Sequence, residues 1–164
     1  MAICSRLKKY LDDHAIKYVA IDHSPAFSAQ EVARSTHVPA RAVVKTVIVK
    51  ADGRPAMVAV AASQRVNLRR VREALDARHV ELTGEAEFAE LFRDCDLGAM
   101  PPFGNLYGMP VVVDPLLARD QEIVFNAGDH LTVIRMAFED YDRLVKPVKA
   151  EVTGEWEEDH YWQH

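Results

Sequence analysis

The sequence predicts an α/β protein of the α+β type, with a mixed, partly antiparallel sheet and helices packed around it. Three observations lead there. Short runs rich in Val and Ile recur along the chain, helical patterns interrupt them at irregular intervals, and an Asp-Gly turn joins two of the runs directly. This order is neither a clean strand–helix–strand alternation nor a succession of strands alone. At 164 residues the chain suits one domain, which buries roughly 70% of the surface exposed by its unfolded chain. We expect that domain over residues 1–149, with 150–164 a weakly ordered or docked tail.

Each element has its own signal. Ile3, Leu7, Tyr10 and Leu11 recur at helical spacing, so residues 3–14 read as an amphipathic helix. KYVAID is a short strand. Ser28-Ala29-Gln30-Glu31 has the form of a capping box, which starts a helix running to about Ser35. AVVKTVIVK, the turn Asp52-Gly53 and PAMVAVAA form a β-hairpin. NLRRVREALDA is helical with Asn67 as cap, and GEAEFAELF is a second short helix. MPVVVD, QEIVFNAG and HLTVIRM read as three further strands, and FEDYDRLV as a closing helix.

Composition narrows the function. No apolar run approaches the ~18 residues of a membrane span, and the first residues lack a signal-peptide core. With two cysteines, Cys4 and Cys95, a disulfide framework is not expected, and a cytoplasmic location is. The net charge of -5 argues against broad non-specific binding to nucleic acid but leaves room for a local basic patch. Seven histidines occur without HExxH, CxxC or another metal-ligand spacing, so we expect no metal and no cofactor. Ser24 and Ser63 lack the G-x-S-x-G elbow of a serine hydrolase.

Three features carry chemistry. Period-2 alternation puts Lys45 on one strand face with Val43, Val47 and Val49. A lysine there either snorkels to an edge or points into a partly dry cavity, where it becomes a responsive electrostatic group. GAMPPFGNLYG places Gly98, Ala99, Met100, Pro101, Pro102, Phe103 and Gly104 in one stretch before a strand. Its prolines stiffen the chain and its glycines let a ligand approach the backbone, unless it is a tight crossover with Phe103 plugging the core. Arg65, Arg69, Arg70 and Arg72 form the most basic run, either a solvated helix face or a contact for an RNA backbone.

The ordered set HSPAFSAQEVA, VVKTVIVK, GAMPPFG, VVVDP and FNAG resembles the YbaK/EbsC family over residues 3–148, with most likeness to its YeaK-like branch. That family is similar to the editing domain inserted in bacterial prolyl-tRNA synthetases. The resemblance implies a barrel-like sheet and a trans-editing hydrolase that cleaves the ester of mischarged aminoacyl-tRNA. It implies tRNA as partner through its aminoacylated 3′ end, with an aminoacyl-tRNA synthetase as a second partner, and neither DNA nor a membrane. The family's strand lysine matches Lys45, and its glycine–proline loop matches Gly98 and Pro101 to Gly104. Phe125-Asn126-Ala127-Gly128 stands where alanine-specific members carry a His-Pro-Leu stretch. Pro101-Pro102-Phe103-Gly104 replaces the Ser-Pro-Val/Ile-Gly loop of the cysteine-specific type. A small amino acid such as alanine, serine or threonine is expected, selected by pocket size. Lys45 is then the catalytic residue, anchoring the 3′-terminal phosphate or ribose, and the 98–104 loop orients ester and water. His23, Ser63, Asn126 and His130 complete the expected pocket. Two alternatives compete: a non-catalytic tRNA- or synthetase-binding module, and a lyase that forms a Schiff base on Lys45.

Overall fold

The computed structural model describes residues 3–23, 29–83 and 85–154. Helix α1 (Ser5–Asp13) buries Leu7 and Leu11, one turn apart, and leads into β1 (Tyr18–Asp22). Helix α2 (Ala29–Thr36) follows; the Ser28 cap expected for it lies outside the described residues. Strands β2 (Val44–Ala51) and β3 (Arg54–Ala61) form the predicted hairpin. Its turn holds Asp52 at φ 50 and Gly53 at φ 83, the two left-handed residues that a type I′ connection requires. Helix α3 (Leu68–Ala74) is capped by the Asn67 side chain, which accepts from Arg70 N at 3.2 Å. Then come β4 (Val80–Leu82), β5 (Val111–Val113), β6 (Glu122–Asn126), β7 (Thr132–Ala137), α4 (Phe138–Val145) and β8 (Val148–Lys149).

The strands make two sheets. One is antiparallel, in the order β1-β7-β6; the other runs β4-β2-β3-β5-β8. The second is mixed, since β4, β2 and β3 pair antiparallel while β3, β5 and β8 pair parallel. Among the described residues a parallel bridge from Val43 to Val124 links the sheets. One bridge cannot continue the ladder, so the barrel-like sheet expected from the sequence is not a closed barrel. The segment Glu85–Phe92, expected as a helix, is a 3-10 run kinked at Phe88, whose φ of -113 interrupts it.

Alternation along the strands sorts the core. Val44 and Ile48 of β2, Met57 and Ala59 of β3, and Ile123 and Phe125 of β6 enter one large apolar cluster with α1 and α4. The opposite face of the larger sheet packs Val49, Val58 and Val60 against Leu68 and Val71 of α3. A third cluster gathers Val43, Ala62, Val124 and Val133 with Val32 and Ala33 of α2. Val152 is fully buried in the second cluster, and Asp114 holds its segment by accepting from Val152 N and Thr153 Oγ1 at 3.0 and 2.9 Å. Among the described residues no helix is long and apolar enough to cross a membrane.

Candidate functional site

Lys45 lies opposite Val60 in the hairpin, on the face that turns away from the main core. Its side chain is half-buried, and Nζ donates to the Gln64 carbonyl at 2.6 Å. Burial, with the positive charge of Arg65 as a second cause, pulls its pKa below the usual lysine value of 10.5. The strand face read from the sequence is therefore the observed one, and Lys45 is a partly desolvated cation. Gln64 was not legible beforehand, because it acts through its backbone carbonyl.

Strand β6 lies next to β2 at this end. Lys45 and Asn126 each follow the parallel Val43–Val124 bridge by two residues. Asn126 Oδ1 is buried and has no hydrogen-bond partner among the described residues. A buried acceptor left unpaired costs about 1–3 kcal/mol, and a ligand donor would remove that cost. Asn126 pairs in register with Val133 of β7, and at the same end of this sheet His23 N donates to Leu131 O at 2.8 Å. His23 thus arrives beside the start of β7, one strand away from β6. The Ser24 to Ser28 part of the HSPAFSAQEVA motif lies outside the described residues.

The glycine–proline stretch divides in two. Its first part joins the site: Gly98 is exposed with φ 84, and Gly128 N donates to Ala99 O at 3.0 Å. Asp96 N donates to Gly128 O at 2.7 Å, and His130 Nε2 lies 2.8 Å from Leu97 O, so Gly98, Ala99 and His130 share one corner with the end of β6. The second part turns inward. Met100, Pro101, Pro102, Phe103 and Gly104 are buried, and Tyr141 Oη donates to Pro102 O at 2.7 Å. Phe103 is completely buried between Tyr141 and Phe125, with ring centroids at 5.2 and 5.6 Å, so it plugs the core. Gly104 is required by crowding, since a Cβ there would sit 2.7 Å from Val111 and 2.9 Å from Met109.

The remaining candidates spread outward. Ser63 is exposed, one residue before Gln64. Arg65, Arg69 and Arg72 are also exposed, whereas Arg70 is committed to Glu151 Oε1 and Thr153 O, both at 2.8 Å. Three of the four arginines therefore present charge to solvent, starting beside Lys45. Gln64 also lines an open groove of about 600 Å³ with Asp114, Pro115, Leu116, Arg119 and Glu151, a feature that the sequence did not signal. The arrangement can hold an anionic group at Lys45 and a hydrogen-bond donor at Asn126, with loop backbone close by.

The model of a family described as aminoacyl-tRNA editing domain matches residues 23–144. The multifunctional Ser/Thr-tRNA deacylase ProXp-y of Escherichia coli (strain K12) is 37% identical over 90 residues, 53% of this chain and 52% of that protein. The chain thus spans about half the length of that curated relative. The prolyl-tRNA editing protein ProX of Acetoanaerobium sticklandii is 23% identical over 142 residues, covering 83% of this chain and 86% of that protein. The crystal structure of a proposed trans-editing enzyme for prolyl-tRNA synthetase superimposes with a TM-score of 0.80 at 17% identity, covering 94% of this chain and 99% of that one. That of a hypothetical protein gives a TM-score of 0.82 at 19% identity, covering 92% and 100%. Both share the fold. With the family model covering most of the described domain, the chain belongs to the aminoacyl-tRNA editing domain family.

Proposed function

We propose that this chain is a trans-editing hydrolase that deacylates mischarged tRNA carrying a small amino acid, with serine and threonine ahead of alanine. The observation that carries the reading is the half-buried Lys45 ammonium, on the strand next to that of the unpaired Asn126 Oδ1 and beside Arg65. A partly desolvated cation binds a phosphate or ribose oxygen of the tRNA 3′ end more strongly than a fully solvated one does. Asn126 Oδ1 accepts from the amino acid, through its ammonium or its hydroxyl. Water adds to the ester carbonyl, and the bond to the ribose oxygen breaks with that oxygen taking a proton. Backbone groups at Gly98, Ala99 and Gly128 orient the carbonyl, and the neighbouring ribose hydroxyl relays the proton. Catalysis by orientation and electrostatics suits a site of this kind.

The preference for serine and threonine draws on the Escherichia coli relative's name and on Asn126, which offers a hydroxyl-bearing side chain a partner. Arg65, Arg69 and Arg72 supply contacts to the phosphate backbone. A synthetase partner and a cytoplasmic location go with this reading. The test is a deacylation panel with seryl-, threonyl-, alanyl- and prolyl-tRNA, each mischarged and each against buffer. Hydrolysis of the seryl or threonyl esters well above buffer supports the proposal. No acceleration on any member of the panel refutes it in favour of a binding module.

A further inference from the structure

The two cysteines are separated by 91 positions, yet the fold sets them side by side. Cys4 N donates to Ala127 O at 2.6 Å, which anchors the residue before α1 on the end of β6. Cys95 N donates to Phe92 O at 3.0 Å, closing the 3-10 run over the same place. Cys4 Sγ, Cys95 Sγ and a carboxylate oxygen of Asp94 all lie within 4.8 Å of one another. Cys4 Sγ donates to Asp94 Oδ2 at 2.7 Å, and Cys95 Sγ lies 3.7 Å from Asp94 Oδ1. Tyr107 Oη stands 3.4 and 3.3 Å from the two sulfurs and donates to Asp94 Oδ1 at 3.1 Å. The Arg6 guanidinium lies 4.8 Å from the Tyr107 ring centroid. Cys4 is buried, whereas Asp94 and Cys95 are half-buried, so the cluster is reachable from one side.

We infer that Cys4, Asp94 and Cys95 form a binding site for a zinc-class divalent cation. Metal–sulfur bonds of about 2.3 Å and metal–oxygen bonds of about 2.1 Å place tetrahedral ligand atoms roughly 3.5–3.8 Å apart. The three donors already lie within 4.8 Å of one another, so side-chain rotations can bring them to that spacing. Two thiolates select a borderline-soft cation over magnesium or calcium. Binding replaces the two thiol protons, which leave to solvent. Three ligand charges against a dication leave one net negative charge near Arg6. Tyr107 supplies the outer support, since its hydroxyl bonds the ligating carboxylate. Sequence spacing hid the site because its ligands come from two distant segments.

The site has a structural consequence that does not depend on the editing reading. The cation ties the segment at Cys4 to the segment 94–99, and both clasp the corner at Gly128 and Ala99. The experiment uses the full chain, reduced and freed of metal by chelation, and titrates it with Co²⁺ as optical probe and then Zn²⁺. The expected result is one equivalent bound, a thiolate-to-cobalt charge-transfer band that Zn²⁺ displaces, and a higher Tm with Zn²⁺. Cys95→Ser, at a half-buried position, loses both the band and the Tm shift while keeping the wild-type circular dichroism. Should that variant not fold, protection of both wild-type thiols from a thiol reagent by Zn²⁺ gives the same answer. Absence of the band and of thiol protection, or a band that persists in Cys95→Ser, overturns the inference.

Discussion

Replacing Phe103 by alanine separates the two roles that a stiff glycine–proline loop can have. The ring is completely buried and meets Tyr141 edge-on at 5.2 Å and Phe125 at 5.6 Å. Removing it forfeits the burial of the ring and leaves a cavity, which together cost about 3–5 kcal/mol for a core Phe→Ala change. For a domain of this size each kcal/mol lowers Tm by roughly 2–4 °C, so the expected drop is about 6–20 °C. Phe103→Leu keeps most of the volume and is expected to cost about 1.5 kcal/mol or less. Urea unfolding of the three proteins gives the free energies, and deacylation measured well below each midpoint gives the activity. The account predicts a large stability loss for alanine, a small one for leucine, and activity retained in both. A loss below about 1 kcal/mol for Phe103→Ala, or wild-type stability with activity abolished, refutes the assignment of this ring to the core.

Three further outcomes follow from the same geometry. Lys45→Met is expected to raise Tm at neutral pH. The folded pKa of Lys45 lies below 10.5, so folding carries a penalty for the charged form below that folded value; it fades as pH rises towards 10.5. A Tm at neutral pH below that of the wild type, or an advantage that grows in alkali, contradicts this. Gly128→Ala should cost about 2–4 kcal/mol, because φ is +124 and the added Cβ would meet Cys4 Cβ and N at 2.9 Å; thermal unfolding decides it. Arg69→Glu with Arg72→Glu should weaken tRNA binding and flatten its salt dependence. Arg70→Glu should instead lower stability, since Arg70 is spent on Glu151 and Thr153, and equal effects of the two changes on binding would undo the distinction.

What the sequence made legible was local. The Lys45 strand face followed from alternation, the hairpin from Asp52-Gly53, and the α3 start from Asn67, each set by neighbours within a few positions. Strand β4 escaped notice because three residues carry no period and are defined by pairing with β2. Strand β8, two residues long, exists through β5 in the same way. The division into two sheets depends on which strands meet in space, so motif order implied only a barrel-like sheet. Phe103 could be wall or plug on composition, and its aromatic neighbours at positions 125 and 141 decided it. Arg70 looked equivalent to Arg69 until Glu151, 81 residues away, claimed it. The partnerless Asn126 Oδ1 is likewise a tertiary fact.

Single-turnover deacylation of seryl- or threonyl-tRNA by wild type and Lys45→Ala is the most direct measurement of the central claim. The ammonium, held at 2.6 Å by Gln64 O in a partly dry setting, is assigned the job of fixing the tRNA 3′ end. Loss of such a charge-assisted anchor is expected to lower the rate constant by on the order of 100-fold, with the fold intact by circular dichroism. A Lys45→Ala enzyme that hydrolyses its preferred ester at the wild-type rate would contradict the account.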